Sequence, residues 1–465
     1  MSNLTVTPKI KPVLDPDFVP AVLWNRKYQQ KVSENPKSTP MVIALERSDA
    51  TVSILKTKVL PGDTANQPLN NKYIERLVKL LLWQKGGYKV SVCGDKAVAD
   101  YIAATYAKDG ERKFDNEIMG DRIYSKPFVV EHRPVQDAPK ENETTQALGR
   151  NLDGCRIGFD LGGSDRKCAA VIDGKVVHSE EVKWDPYFQK DPQYHYDGIN
   201  DSLKRAAAKM PRVDAIGGSA AGVYVNNEVK VASLFRGIPK DLFDKKVRRM
   251  FFDLKKEWNN VPLEVVNDGE VTALAGSMSM NENTILGMSL GTSTAGGYVN
   301  SKGNITNWLN ELAFVPVDYR EGAFVDEWSG DGGCGVQYFS QQAVGRLCAP
   351  AGIDLPKEMP LAEKLEKVQE LMKNGDMQAR KIYETIGVYL GYTLAHFADF
   401  YEIRNMLILG RVTSGIGGDL VVATASNVLR EEFPQLHKTM VIKTPGESEK
   451  RLGQAVAAAS LPSLK

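Results

Sequence analysis

The stretch Gly158-Phe159-Asp160-Leu161-Gly162-Gly163-Ser164 runs an apolar strand into an acid, two glycines and a hydroxyl. These residue types let backbone N–H groups and a side chain close on a phosphate. Residues Ser289-Leu290-Gly291-Thr292-Ser293-Thr294-Ala295-Gly296-Gly297 repeat the apolar lead-in, hydroxyl turn and glycines. Two such turns imply one triphosphate held from both sides. In the first, Asp160 suits Mg²⁺, directly or through water, Gly162 and Gly163 allow close backbone approach, and Ser164 can donate to phosphate. In the second, Gly291, Thr292 and Ser293 take the corresponding places. The first turn equally fits a simple hairpin. Val265-Val266-Asn267-Asp268-Gly269 sets a carboxylate at a strand end, where a general base could meet a hydroxyl. Taken alone, Asn-Asp-Gly reads better as an ordinary turn. Gly410 and Gly415 to Gly418, between a strand and a helix, either let a base and ribose lie on bare backbone or simply start the helix. No Gly-x-x-x-x-Gly-Lys-Ser/Thr occurs, which excludes a Walker-type ATPase.

The elements that must carry these residues follow from hydrophobic periodicity. Residues 1–40 are rich in Pro, Lys, Asn and Ser and read as an extended arm. Met41–Leu45 and Thr51–Leu55 read as strands, Tyr73–Trp83 as a helix, Lys89–Cys93 as a strand and Ala97–Ala107 as a helix. Residues 41–130 are thus expected to form a small α/β unit of unknown role. Residues 131–154 turn polar and aperiodic, as a solvated linker does. Beyond it, 155–275 and 276–465 are expected to form two lobes. In the first, a hairpin turns at Asp173-Gly174, a helix covers Ile199–Lys209, and Ala215-Ile216 leads into a glycine-rich loop. In the second, Leu361–Leu371 and Ile382–Phe397 carry helical spacing, and Met406–Leu409 reads as a strand.

The chain has 465 residues, too many for one ordinary core, and a formal net charge of +1. That balance gives no bulk footprint for nucleic acid or a membrane surface. Five scattered cysteines form neither a disulfide framework nor a Cys-x-x-Cys pair. With no signal-peptide core and no apolar run of membrane-spanning length, the expected location is the cytoplasm.

Taken in order, these segments resemble the ROK family of the actin-like ATPase and sugar-kinase superfamily. The resemblance covers about residues 155–462. Ile157–Val171 resembles its first phosphate turn, Gly217–Val223 its sugar-side loop, Asn267-Asp268 its catalytic pair and Gly291–Gly297 its second phosphate turn; Lys373–Asp376, Leu409-Gly410 and Gly453–Ala455 also match. The resemblance implies an α/β fold of two ribonuclease H-like lobes around a cleft. It further implies Mg·ATP, bound mainly by the second lobe, and a sugar or polyol acceptor in the first, near Ser219, Asn267 and Glu311. Asp268 would be the base for phosphorylation of an acceptor hydroxyl. Dimers or tetramers are usual in the family, so a homo-oligomer, a dimer in the first instance, is expected.

The sequence also departs from the family. Where members carry Gly-Glu-x-Gly-His, this chain reads Asn310-Glu311-Leu312-Ala313-Phe314, which keeps the acid and loses the histidine. The cysteine-rich zinc loop is reduced to Ser329–Gly335 with Cys334 alone, and one thiol cannot make a tetrahedral site, so no zinc is expected. Val336 and Gln337 replace a further acid, which makes glucose a poor default acceptor. Trp308, Phe314, Trp328 and Tyr338 could wall the pocket or simply pack. The alternatives to a kinase are a ligand-sensing regulator and a non-catalytic sugar-binding protein. No basic helix-turn-helix stands out in residues 41–130, so no nucleic-acid partner is expected.

Overall fold

The structure, a computed structural model, describes residues 4–143, 148–444 and 447–464, and for residues 447–452 the backbone alone. Residues 144–147 of the expected linker, and the extreme ends of the first arm and second lobe, lie outside the described residues.

The first sheet is built from β1 (Thr39–Glu46), β2 (Val52–Val59), β3 (Lys89–Cys93) and β4 (Val129–Arg133), in the order β2-β1-β3-β4. β1 runs antiparallel to both neighbours, and β4 joins β3 in parallel. The helix Gln67–Lys85 lies over this sheet, buried on nearly every side. The helix Lys96–Thr105 starts where the Asp95 carboxylate accepts from the Ala97 and Val98 N–H groups.

The second sheet combines β5 (Cys155–Leu161), β6 (Asp165–Ile172), β7 (Lys175–Lys183), β8 (Ala215–Ala220) and β11 (Leu263–Asn267), in the order β11-β8-β5-β6-β7. β5, β8 and β11 are parallel. They bring Asp160, Ser219 and Asn267 to one end of the sheet, the carboxyl ends of its parallel strands. β5 and β8 are buried almost throughout, as expected for strands covered on both faces, whereas β7 at the edge alternates between half-buried and exposed residues. A short hairpin, β9 (Val223–Val225) and β10 (Glu228–Val231), follows β8. The third major sheet holds β12 (Ile285–Leu290), β13 (Thr294–Val299), β14 (Asn405–Leu409) and β15 (Val441–Lys443), in the order β13-β12-β14-β15. Helices Met377–Ala398 and Gly415–Glu432 pack against one another beside it.

Four organisational expectations need correction. Residues 21–34, read as part of an extended arm, form a helix whose Ala21, Val22, Trp24, Tyr28 and Val32 are buried. Proline and polar composition hid that apolar face; only residues before it run as a strap, with Leu14 N–H on Thr385 Oγ1 at 3.2 Å and Tyr389 OH on Asp15 Oδ2 at 2.6 Å. The expected linker is partly ordered by pairing: Val129–Arg133 completes the first sheet, Asn142 bridges to Val52, and Arg150 reaches Ser277 at 2.6 Å. The Gly217–Val223 loop is strand as far as Ala220, because Gly217 lets the C-terminal helix Glu447–Ala459 press its backbone onto the sheet. That helix, placed by the sequence in the second lobe, therefore packs on the second sheet, while the helix Asp268–Met280 runs across the expected lobe boundary at residue 275 and packs on β12 and β13.

The N-terminal sheet is not an appendage. Its core is continuous with that of the third sheet and its helices, from Ile43, Leu77 and Val92 through Leu312 and Tyr338 to Ile386 and Ile408. A buried charge network also crosses the seam. Asp331 meets Arg76 at 3.1 Å, Arg112 at 2.9 Å and Lys79 at 3.6 Å; Glu75 pairs with Arg76 and Arg112, and Asp115 with Lys79 at 2.8 Å. Three acids match three bases, so the desolvation of each is offset by partners. Burial alone would raise the Asp331 carboxyl, but Arg76, Lys79 and Arg112 outweigh it and hold it at about 2. Removing one member strands the others. Asp331→Ala is expected to lose about 3–5 kcal/mol of stability, read as a shift in the urea midpoint; an unchanged midpoint contradicts this role.

Candidate functional site

Asp268 is the first residue of the helix that leaves β11, so Asn267-Asp268-Gly269 is a strand-to-helix junction and not the ordinary turn that the tripeptide alone favours. Asn267 caps that helix: its Oδ1 accepts from the Gly269 N–H at 2.7 Å, and its Nδ2 donates to the Gly222 carbonyl at 2.7 Å. The Asn267 amide is thereby committed to fixing the neighbouring acid. Gly269 and Gly297 meet backbone to backbone, with no room for a Cβ on either, which presses the start of the Asp268 helix onto β13. Asp268 thus stands where the second and third sheets join.

Asp160, at the end of β5, accepts from the Ser219 hydroxyl at 2.6 Å. Ser219 is fully buried, so its expected place as a substrate ligand becomes one of orienting Asp160. Gly162 to Ser164 connect β5 to β6 as a tight hairpin, closed by Gly162 N–H on the Asp165 carbonyl at 2.9 Å and capped by Trp184 Nε1 on the Gly162 carbonyl at 2.8 Å. The glycine turn is thus the hairpin that one of its two readings expects. Ser164 stays exposed, with its hydroxyl on Asp165 at 2.9 Å.

The structure adds a cation that the sequence analysis missed. Lys167 stands directly opposite Asp160 in the β5–β6 ladder, its Nζ 3.8 Å from Asp160 Oδ2 and 3.1 Å from Asp165 Oδ1. Burial would lower the Lys167 pKa, but the two carboxylates raise it, so it stays charged beside the glycine turn. Strand alternation after the turn was the available signal, since a residue opposite Asp160 must share its face.

In the second turn, Gly291 N–H closes on the Ser293 carbonyl at 2.9 Å and Gln341 N–H on the Gly291 carbonyl at 2.9 Å, leaving Thr292 and Ser293 exposed. The β12–β14 register, Ser289 beside Leu409, brings Gly410 to the same end of the sheet. Gly410 adopts φ 99° against the Leu290 backbone, and Gly415, φ 69°, opens the helix Gly415–Glu432 with nothing within 4 Å of where a Cβ would stand. Gly417 and Gly418 serve packing instead, against Tyr383 and the Thr413 carbonyl.

Four carboxyls are coupled in series through their charges, Asp160 with Asp268, Asp268 with Glu311 and Glu311 with Glu270, an acidic file in the electrostatic sense. Burial, then the charge of Asp160, pushes Asp268 up to about 6. Burial, then the charge of Asp268, pushes Glu311 up to about 7. Glu270, which the sequence analysis passed over, is pushed up to about 8 by burial, only partly relieved by Asn310 Nδ2 at 3.4 Å. Glu311 is placed by the N-terminal helix: its N–H donates to the Trp83 carbonyl at 2.9 Å, and the Asn310 N–H to the Gln84 carbonyl at 2.9 Å. Phe314 packs in a tilted arrangement on Trp83, with ring centroids 4.2 Å apart. Of the other aromatics, Tyr338 is buried with its hydroxyl on Asp318, Trp308 stacks on Tyr298, and Trp328 is exposed.

No protein-family model matches the sequence, and no curated protein matches it. Solved structures do match in fold. A ROK hexokinase from Thermus thermophilus shares 17% identity over 65% of this chain and 97% of its own, with a TM-score of 0.51. A ROK family glucokinase from Streptomyces griseus, in complex with glucose and AMPPNP, shares 18% over 66% and 99%, at 0.50. A ROK family transcriptional regulator, a homologue of the E. coli MLC protein, shares 17% over 67% and 79%, at 0.51. About two thirds of the chain therefore has the actin-like ATPase fold of the ROK sugar kinases and regulators. No described helix is long and apolar enough to cross a membrane.

The residues present fit Mg²⁺ and do not fit zinc. Asp160 has one oxygen on Ser219 and the other beyond hydrogen-bonding distance of Lys167, and burial raises its pKa, so a hard cation would find oxygen lone pairs and relieve uncompensated charge. Burial pushes the Cys334 thiol up to about 12, and its neighbour Asp331 is committed to Arg76, Lys79 and Arg112; a protonated thiol beside engaged charges is a poor zinc ligand.

A buried acid with a raised pKa binds its proton more tightly folded than unfolded. Its stabilising effect is complete below the unfolded value of 4.5 and is lost as pH rises through about 8. Glu270→Gln is accordingly expected to raise the melting temperature at pH 8.5 by a few degrees and to lose that advantage near pH 4.5, as read by scanning calorimetry; an equal shift at both pH values contradicts the assignment.

Proposed function

We propose that this chain is a ROK-family kinase that transfers the γ-phosphoryl group of ATP to a hydroxyl of a sugar or sugar-like polyol. The observation that carries the reading is Asp268: a carboxylate fixed at a strand-to-helix junction, raised to about 6, and next in the acidic file to Asp160 and the glycine turn. A base with that pKa is largely ionised at neutral pH yet basic enough to accept a proton in the transition state. Asp268 takes the acceptor hydroxyl's proton as its oxygen attacks the γ-phosphorus, and ADP leaves with the bridging oxygen's electrons. Lys167 and the backbone of Gly162 to Ser164 hold phosphate oxygens on one side, Gly291 to Ser293 on the other, and Gly410 and Gly415 leave room for the nucleoside. Mg²⁺ at Asp160 would supply charge neutralisation of the triphosphate. Asn267 orients Asp268, and Glu311 faces the acceptor.

The regulator reading finds less support. Residues 39–133 form a sheet whose main helix, Gln67–Lys85, is buried and so cannot enter a DNA groove.

Asp268→Asn is expected to lower acceptor-stimulated ADP release by about 10²–10⁴-fold, with affinity for a non-hydrolysable ATP analogue retained. Because the base must be ionised, kcat/KM of the native protein should rise with pH through about 6 and level off above it. Full transfer by Asp268→Asn, or a profile flat from pH 5 to 8, contradicts the assignment.

A further inference from the structure

We infer that the acceptor is a neutral saccharide larger than one ring, a disaccharide or other hexoside, and that the N-terminal unit forms the wall reading its ring remote from the reacting hydroxyl. The inference rests on the kinase reading for the reacting end and on a separate cavity for the remote one. That cavity is lined by Asn267 and Glu270, the residues flanking Asp268 and Gly269. Neither Asp268 nor Glu311 lines it. Its far walls come from three parts of the chain: Arg47 to Asp49 and Tyr124 of the N-terminal unit, the β9–β10 hairpin, and Thr306 to Leu309. It encloses about 80 Å³, room for roughly six waters at 10–15 Å³ each, a space of the order of one sugar ring beyond the acid.

The chemistry of the walls selects the ligand. Among the described residues Arg47 is the only cation lining the cavity, and it is spent: Nε on Thr51 at 2.7 Å, Nη1 on Ser53 at 2.7 Å and Nη2 on Glu143 at 2.8 Å. Asp49, Glu264 and Glu270 supply carboxyl oxygens and Asn307 an amide, anchored by Nδ2 on Asp49 at 2.9 Å. An anionic sugar would meet the ionised Asp49 carboxylate with no free positive charge among the described lining residues, whereas a neutral polyol can donate to the carboxyl oxygens. The buried Thr306 hydroxyl on this wall has no hydrogen-bond partner among the described residues, a cost that a ligand hydroxyl removes. Tyr124, Tyr224 and Trp308 add the aromatic surface that the C–H face of a sugar ring covers. The Thr306–Leu309 wall is also fixed in register with Glu311, because the Trp83 and Gln84 carbonyls hold the Asn310-Glu311 segment that follows it.

The test uses the full chain with Mg·ATP and a panel of neutral hexoses, the disaccharides containing them, and the matching sugar phosphates and uronic acids. A disaccharide is expected to exceed its component hexose in kcat/KM by at least about tenfold, and the anionic sugars to be poor. Asn307→Leu and, as a milder change, Asn307→Ala should lower that disaccharide-to-hexose ratio about tenfold. Calorimetric binding of the same sugars to Asp268→Asn separates the two readings. Disaccharide binding that weakens with Asn307→Ala, without turnover of any sugar, supports the cavity assignment and overturns the kinase reading. Turnover of a free hexose as efficient as that of every disaccharide, with a ratio indifferent to both Asn307 variants, overturns the inference and leaves the kinase standing. Binding of no saccharide, or preference for an anionic one, also overturns it.

Discussion

Two carboxylates, Asp160 and Asp268, stand within electrostatic reach of each other in a desolvated cleft, and the remainder of the architecture holds them there. Each makes ionisation of its surroundings more costly, and the effect passes on to Glu311 and Glu270. Left to itself, such a file of acids would be relieved by water or by moving apart. Three parallel strands prevent that, since β5, β8 and β11 end together and the Asn267 amide pins the last of them to Gly222. On the proposed reading that cost prepares the site for a cation, and Lys167 already stands 3.8 Å from Asp160.

The N-terminal unit answers a second constraint. Comparable ROK folds account for about two thirds of the chain, and the remaining third could have been a tethered module. Instead it shares a continuous core with the third sheet, places Arg76, Lys79 and Arg112 around Asp331, and lends two helix-terminal carbonyls to the segment bearing Glu311. Carbonyls at a helix end need donors, and the Asn310 and Glu311 N–H groups provide them. Charge pairing thus fixes the Ser329–Gly335 loop, and Phe314 packs against Trp83 beside it.

Much of this was legible in the sequence where a residue's own chemistry decided its place. The strands carrying Asp160 and Asn267, the hairpin at Asp173-Gly174 and the order β-β-α-β-α in residues 41–105 follow from periodicity and turn residues. What could not be read depends on partners distant in the chain. Ser219 looked available until β8 was paired beside β5, which aims its hydroxyl at Asp160. The helix Ala21–Glu34 carries too many polar residues to announce itself, and its apolar side is defined by the surfaces it covers. Lys167 lies three residues beyond Ser164 and Glu270 one beyond Gly269, and only strand register and burial show what they face. The swap of the C-terminal helix onto the second sheet is a property of topology, not of local pattern.

The most direct measurement is a crystal structure of the full protein with Mg²⁺ and a non-hydrolysable ATP analogue. The triphosphate is expected between Gly162–Ser164 with Lys167 on one side and Gly291–Ser293 on the other, its γ-phosphate turned toward an acceptor space beside Asp268. A nucleotide bound elsewhere, or a γ-phosphate from which Asp268 is screened by packed side chains, would contradict it.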